Sequence, residues 1–248
     1  MGKAFLMWRN TRMIVLVAVC AAIYAATLIA FKAAIPLIPG ITEVRVANVF
    51  PMTFGLLFGP AGAWGLAFGN LIGDIFGGTF GPGSLAGFFG NFLLGYLPYT
   101  MWTALIPIAE RSYGWQGKSW RSWTSYVLIT LISSAACAVV ISAFVDALGI
   151  VPYAVLSKLI TVNNAIGGLI GIVLLIAVYD VTVKQLGLLW TDVMEVQEPV
   201  RSRTGPLGAW IVTAGVLIGI APGLVPSLPA PVVGWLGTAL IAAGSLLL

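Results

Sequence analysis

The feature that most constrains this chain is a succession of apolar runs near 20 residues long, each ended by a Gly/Pro break or a short polar stretch. A bilayer's hydrocarbon core is about 30 Å thick and a helix rises about 1.5 Å per residue, so such runs match single crossings. In lipid every backbone polar group must be satisfied within the protein, which favours helices. The chain is therefore read as an all-α, polytopic helical bundle in the cell (cytoplasmic) membrane. Composition agrees: 60% of the 248 residues are hydrophobic and 8% are charged, where a soluble domain carries about 25% charge. A soluble enzyme, a disulfide scaffold, a DNA-binding module and a disordered tail are excluded. The net charge of +4 calls for no nucleic acid; its distribution sets orientation instead.

The first run, 13–37, exceeds the roughly 7–15 apolar residues of a signal peptide and is kept as a retained helix. The second, 46–58, spans only about 20 Å. It crosses comfortably only if its polar start (Glu43, Arg45, Asn48) is sunk in a protein-lined cavity. The third to sixth run over 61–78, 85–109, 124–149 and 153–179, and 206–224 and 231–248 close the chain. This divides the chain into a six-helix unit (1–180), a cytoplasmic linker (181–206) and a C-terminal two-helix hairpin (207–248). Eight spans put both termini on one side. Nine of the twelve Lys and Arg residues (positions 3, 9, 12, 111, 118, 121, 184, 201 and 203) fall there, against Lys32, Arg45 and Lys158 at the other end. The positive-inside rule then places both termini in the cytoplasm.

The chain has no histidine, which removes the commonest general base and metal ligand. With no activated nucleophile and no carboxylates at metal-ligand spacing, no enzyme, metal or cofactor is expected. Cys20 and Cys137 lie inside apolar runs and read as packing residues. The segment from Ser112 to Ser119 falls short of a phosphate-binding loop: glycine is needed where Ser112 stands, and a strand before it. Any ATP must be hydrolysed by a partner.

Gly65, Gly69, Gly73 and Gly77 recur every four residues on the third helix, the spacing that lets two helices approach closely within one chain. Ala18, Ala22 and Ala26 make a flat face on the first, which either packs internally or receives another subunit's helix. Asn70 and Asp74 share a face beside the glycines. An intramembrane carboxylate is costly and faces protein or water, so Asp74 either meets a ligand or bonds a neighbour such as Arg45 or Lys32. Lys158, Thr161, Asn163 and Asn164 on the sixth helix reach the same outer depth. So does Asn91 on the fourth, flanked by Phe88, Phe92, Tyr96 and Tyr99. Placed polar groups amid aromatic walls suggest a small-molecule pocket opening outward. The competing reading pairs Lys158 with Asp146 and ties the asparagines to neighbouring backbone.

The stretch from Glu43 to Pro51, Phe58-Gly-Pro-Ala-Gly62 and Gly69-Asn-Leu-Ile-Gly-Asp74-Ile-Phe-Gly-Gly78 resembles the substrate-binding (S) components of energy-coupling factor (ECF) transporters. It is nearest to their queuosine-precursor branch, and the likeness covers roughly residues 10–180. Arg45 opening the second helix, the Gly59-Pro60 break, the glycine-rich third helix and Ser84-Leu-Ala-Gly all fit. Ala18-xxx-Ala22 matches the small-residue motif by which such components dock. The resemblance implies a subunit that captures a vitamin-like or modified-base micronutrient from outside. Its partners would be an ECF coupling membrane subunit and two ATPase subunits, which make it topple in the membrane. Two positions depart from the branch, Asn48 for an acidic residue and Asp74 for an asparagine, so its ligand contacts do not transfer intact. The closing helix pair has no counterpart in a six-helix component.

The expected substrate-binding residues are Glu43, Arg45, Asn48, Asn70, Asp74, Asn91, Tyr96, Lys158, Asn163 and Asn164, and the expected docking residues Ala18, Ala22 and Ala26. A self-sufficient secondary permease is the alternative. It would call for a carboxylate near the midplane and internal repeats, and neither is visible.

Overall fold

The computed structural model describes residues 1–31, 36–38, 42–43, 45–110, 112–115, 117, 119–196, 204–225 and 227–248. A short helix α1 (Gly2–Leu6) leads into α2 (Thr11–Phe31). Asn10 caps α2, its side-chain oxygen accepting from the N–H groups of Arg12 and Met13. A two-stranded antiparallel pair follows, β1 (Pro36–Ile38) and β2 (Thr42–Glu43). A single 3₁₀ turn, Val46–Val49, then opens α3 (Phe50–Phe58). Gly59, at φ +51°, breaks the chain before α4 (Pro60–Phe76), whose leading proline supplies a φ suited to a helix start.

The helix α5 (Pro82–Met101) is shorter than the apolar run 85–109 suggests. Pro107 lacks an N–H and crowds the carbonyl four residues earlier, so residues 102–108 fold into turns. The remaining helices are α6 (Trp120–Ala147), α7 (Tyr153–Asp180), α8 (Trp190–Val193), α9 (Gly205–Leu224) and α10 (Ala230–Leu247). Among the described residues five helices are long and apolar enough to cross a bilayer: α2, α6, α7 with its continuation, α9 and α10. Large apolar side chains such as Leu131, Val173, Leu217 and Val232 point outward from them, as lipid-facing positions do. The chain is a polytopic helical membrane protein.

The helices run alternately up and down. The start of α2, the α3–α4 break, the end of α5, the start of α6 and the end of α7 thus share one end of the bundle. There the Lys3 ammonium lies 5.3 Å from the Tyr113 ring centre and 5.5 Å from that of Trp190. Arg9, Arg12, Arg121 and Lys184 belong to this end, Arg45 and Lys158 to the other. Lys32, Arg111, Lys118, Arg201 and Arg203 lie outside the described residues, or have no side chain described.

Glycines set the close approaches. A Cβ on Gly65 would run into that of Cys20, and one on Gly69 would sit 2.9 Å from the Ala21 carbonyl oxygen. The glycine stripe is therefore the seam between α4 and α2, inside the chain. Gly77 stands just beyond it, as the C-cap of α4. On α9 and α10, Gly208 faces Gly244 and Gly237 faces Gly215 and Gly219, and the pair packs on α6 and α7.

Candidate functional site

The end opposite Lys3 carries the polar groups, and three local features bring them together. Gly167 and Gly171 on α7 let the 3₁₀ turn before α3 press into that helix, because side chains there would strike Asn48 and the Val49 carbonyl. The short second segment thereby starts inside the protein, with Asn48 buried and Arg45 turned toward α4. Gly87 on α5 leaves room for Asn70, whose amide nitrogen would lie 2.7 Å from a Cβ at 87. Finally, Asp146 at the end of α6 accepts from the N–H of Tyr153 at 3.0 Å and so caps α7.

Beneath the α4–α5 and α6–α7 turns these elements enclose a cavity of about 180 Å³. One wall is polar. The Arg45 guanidinium donates to Asn70 Oδ1 at 3.2 Å, Asn70 Nδ2 donates to Asp74 Oδ2 at 3.3 Å, and Thr79 Oγ1 donates to Asp74 Oδ1 at 3.3 Å. The Arg45 N–H donates to Asn163 Oδ1 at 3.2 Å. Asn164, also lining the cavity, accepts from Asn48 Nδ2 at 2.8 Å. The facing wall is aliphatic: Cys137, Ile141 and Val145 from α6, Ile150 from the turn, and Leu156 and Ile160 from α7. Chemically the cavity offers a guanidinium, a carboxylate and three amides along one side of an apolar slot. That combination suits a small molecule carrying both donors and acceptors on one edge.

Of the ten candidate residues, the structure gathers Arg45, Asn70, Asp74, Asn163 and Asn164 on the cavity. Asn48 lies just behind, through Asn164. Of Glu43 only the backbone is described; its side chain lies outside the described residues. Asn91 is set deeper, accepting from the Tyr24 hydroxyl at 2.9 Å and donating to the Gly87 carbonyl at 2.8 Å. Tyr96 is buried away from the cavity and donates to the Ser245 carbonyl at 2.9 Å. It stands 14 positions along α5 from Pro82, about 21 Å down the axis. Lys158 sits two positions from Leu156, about 200° round the helix, so it faces away; its stem rests against Gly223.

The expected aromatic lining is also absent among the described residues: Phe88 and Phe92 turn instead to Trp64 on α4. The lining residues that sequence reasoning missed are Thr79, Ser84 and the aliphatic wall. Cys137, Ile141 and Val145 recur every four residues on α6, which puts them on one face without saying what covers it. Ala18, Ala22 and Ala26 are exposed and line a shallow apolar groove with Phe68, Ile72 and Phe76 of α4.

No curated protein and no solved structure matches the chain. A family profile does, and the residues it covers run from within α2 to the end of α7, so they hold the whole cavity and leave out the closing hairpin. The profile is that of the QueT transporter, matched over residues 14–180, about two thirds of the chain. The chain belongs to that family: it is a multi-pass membrane transport protein, not an enzyme.

Proposed function

We propose that this protein is the membrane-embedded capture subunit of an uptake system for a vitamin-like or modified-base micronutrient, a queuosine precursor by its family, energised by a partner coupling subunit and two ATPases. The observation that carries this reading is the two-faced cavity. A modified base is a planar ring with hydrogen-bonding groups along its edge. Arg45 can donate to an acceptor on that edge, Asp74 can accept from a donor, and the Asn163 and Asn164 amides can serve either. Ile141, Val145, Leu156 and Ile160 would cover the ring's faces. Asn48 and Asn91 act one layer back, holding Asn164 and the α5 backbone in place.

The same reading orients the molecule. With basic residues gathered at the end opposite the cavity, the positive-inside rule puts both termini in the cytoplasm and the cavity outside. The partner is inferred from α2. Its alanine face is exposed beside Phe68, Ile72 and Phe76, flat enough for another subunit's helix to approach closely.

The test separates a capture subunit from a self-sufficient permease. The purified protein should bind a queuosine precursor by calorimetry, and Ala22→Trp should leave that affinity within twofold while abolishing uptake in cells. Ligand uptake into liposomes holding this protein alone would overturn the subunit reading in favour of a permease. Loss of binding in Ala22→Trp would show that the alanine face serves the fold.

A further inference from the structure

The hairpin of α9 and α10 lies beyond the residues the family profile matches, yet it is fixed to the helices that form the aliphatic wall. On α6, Cys137 and Ile141 face the cavity, and Val139, midway between them, faces the other way. A Cβ added to Gly219 of α9 would meet Val139 Cγ2 at 2.6 Å, so α9 and α6 are in tight contact directly behind that wall. On α7, the Tyr153 hydroxyl donates to the Gly219 carbonyl at 2.6 Å. The Tyr153 ring is also pressed against Gly234 of α10, where a Cβ would come within 2.5 Å. Two further bonds tie the hairpin to the rest of the bundle, Tyr96 to the Ser245 carbonyl and Trp210 Nε1 to the Ile106 carbonyl at 3.0 Å.

We infer that the hairpin is a rigid backing that positions the α6–α7 wall of the cavity, with Gly219 and Tyr153 as its positioning residues. The inference rests on reading the cavity as the binding site. Without the hairpin, the outer face of α6 at Val139 would meet lipid, which yields. With it, that face meets a helix whose own partner is held at backbone contact by glycines, and close-packed interfaces transmit displacement rather than absorb it.

The direction of the effect provides the test. A side chain at 219 pushes on Val139 and so drives Cys137 and Ile141 into the cavity. Full-length protein in nanodiscs, with Cys20→Ser so that Cys137 is the one thiol, is treated with N-ethylmaleimide, and queuosine-precursor affinity is measured in parallel. Gly219→Leu should slow Cys137 alkylation at least fivefold and weaken binding at least fivefold. Val139→Ala in the same chain, which opens the space the leucine takes, should bring both within twofold of the starting protein.

A merely destabilised bundle would loosen and alkylate faster, and rescue would fail; either result overturns the inference. Unchanged alkylation in folded Gly219→Leu overturns it as well. Should that variant not accumulate, Gly219→Ala adds one methyl and should slow alkylation at least twofold. If no precursor binds any variant but alkylation slows and is rescued as stated, the positioning inference stands and the substrate reading falls.

Discussion

Asp74→Asn isolates the charge on the polar wall with almost no change of shape. In the native protein the carboxylate accepts from Asn70 Nδ2 and from Thr79 Oγ1, both at 3.3 Å. An asparagine can keep both contacts: its oxygen accepts from Asn70, and its nitrogen donates to the Thr79 hydroxyl, which turns to accept. What disappears is the charge and one acceptor facing the cavity. A hydrogen bond to a charged group contributes about 1.5–3 kcal/mol and one between neutral groups about 0.5–1.5. The ligand should therefore lose about 1–2 kcal/mol, or roughly 5- to 30-fold in affinity. Arg45 lies on the same wall, so a cationic ligand should lose more than a neutral one of the same shape. Calorimetry on the purified protein measures the affinity, and thermal unfolding without ligand measures the fold. Unchanged affinity combined with early unfolding would refute the reasoning, because Asp74 would then be a structural acceptor and nothing more.

Two further outcomes are expected. Cysteines introduced at Ser119 or Ser202 should react with a membrane-impermeant maleimide only after cells are permeabilised, and labelling of either in intact cells would invert the proposed topology. Gly65→Ala places a methyl against Cys20 across the α2–α4 seam, an overpacking expected to cost about 1–3 kcal/mol; an unchanged unfolding midpoint would rule out that close approach.

Much of this arrangement was legible because membrane helices leave periodic traces. Four-residue glycine spacing marked one face of α4 as a helix contact within the chain, though not that α2 is the partner, and a second segment too short to span implied that Arg45 starts inside the protein. Charge placement gave the two ends. Failures came where rotation around the axis was left out, or where depth along it was judged too coarsely. Lys158 stands two positions from the cavity residue Leu156 but about 200° round the helix from it. Tyr96 follows Asn91 in sequence, yet lies more than a helical turn further from the cavity, where its hydroxyl serves Ser245 of the hairpin. No local pattern could announce that partner, 149 residues away. The aliphatic wall went unread for a different reason: in a chain that is 60% hydrophobic, an isoleucine against a ligand and one against lipid look alike.

The packing also bears on how a captured molecule would cross. A route through the bundle from the cavity would have to part helices now joined at backbone contact. Gly55 meets the Gly95 carbonyl between α3 and α5, and Gly171 meets the Val49 carbonyl between α7 and the turn before α3. Gly95 in turn abuts Ala63 of α4. Below the cavity lie Met52, Leu56, Leu97, Tyr96 and Trp102, all buried, and buried hydroxyls at this depth are already bonded within the bundle, as Thr53 is to the Gly171 carbonyl, Tyr126 to that of Gly168 and Thr130 to that of Tyr126. Opening such a path exposes apolar surface and strands polar groups together, whereas turning the whole bundle keeps every seam closed. The wall carrying Arg45 and Asp74 would travel with its ligand, its bonds intact until the cavity mouth reaches the other side. Closed seams of this kind agree with the proposed capture subunit, which would reorient as a rigid body and so need an external grip. On the capture-subunit proposal the exposed alanine face of α2 would supply it, since α2 is joined through Gly65 and Gly69 to the same helix that holds Asn70 and Asp74.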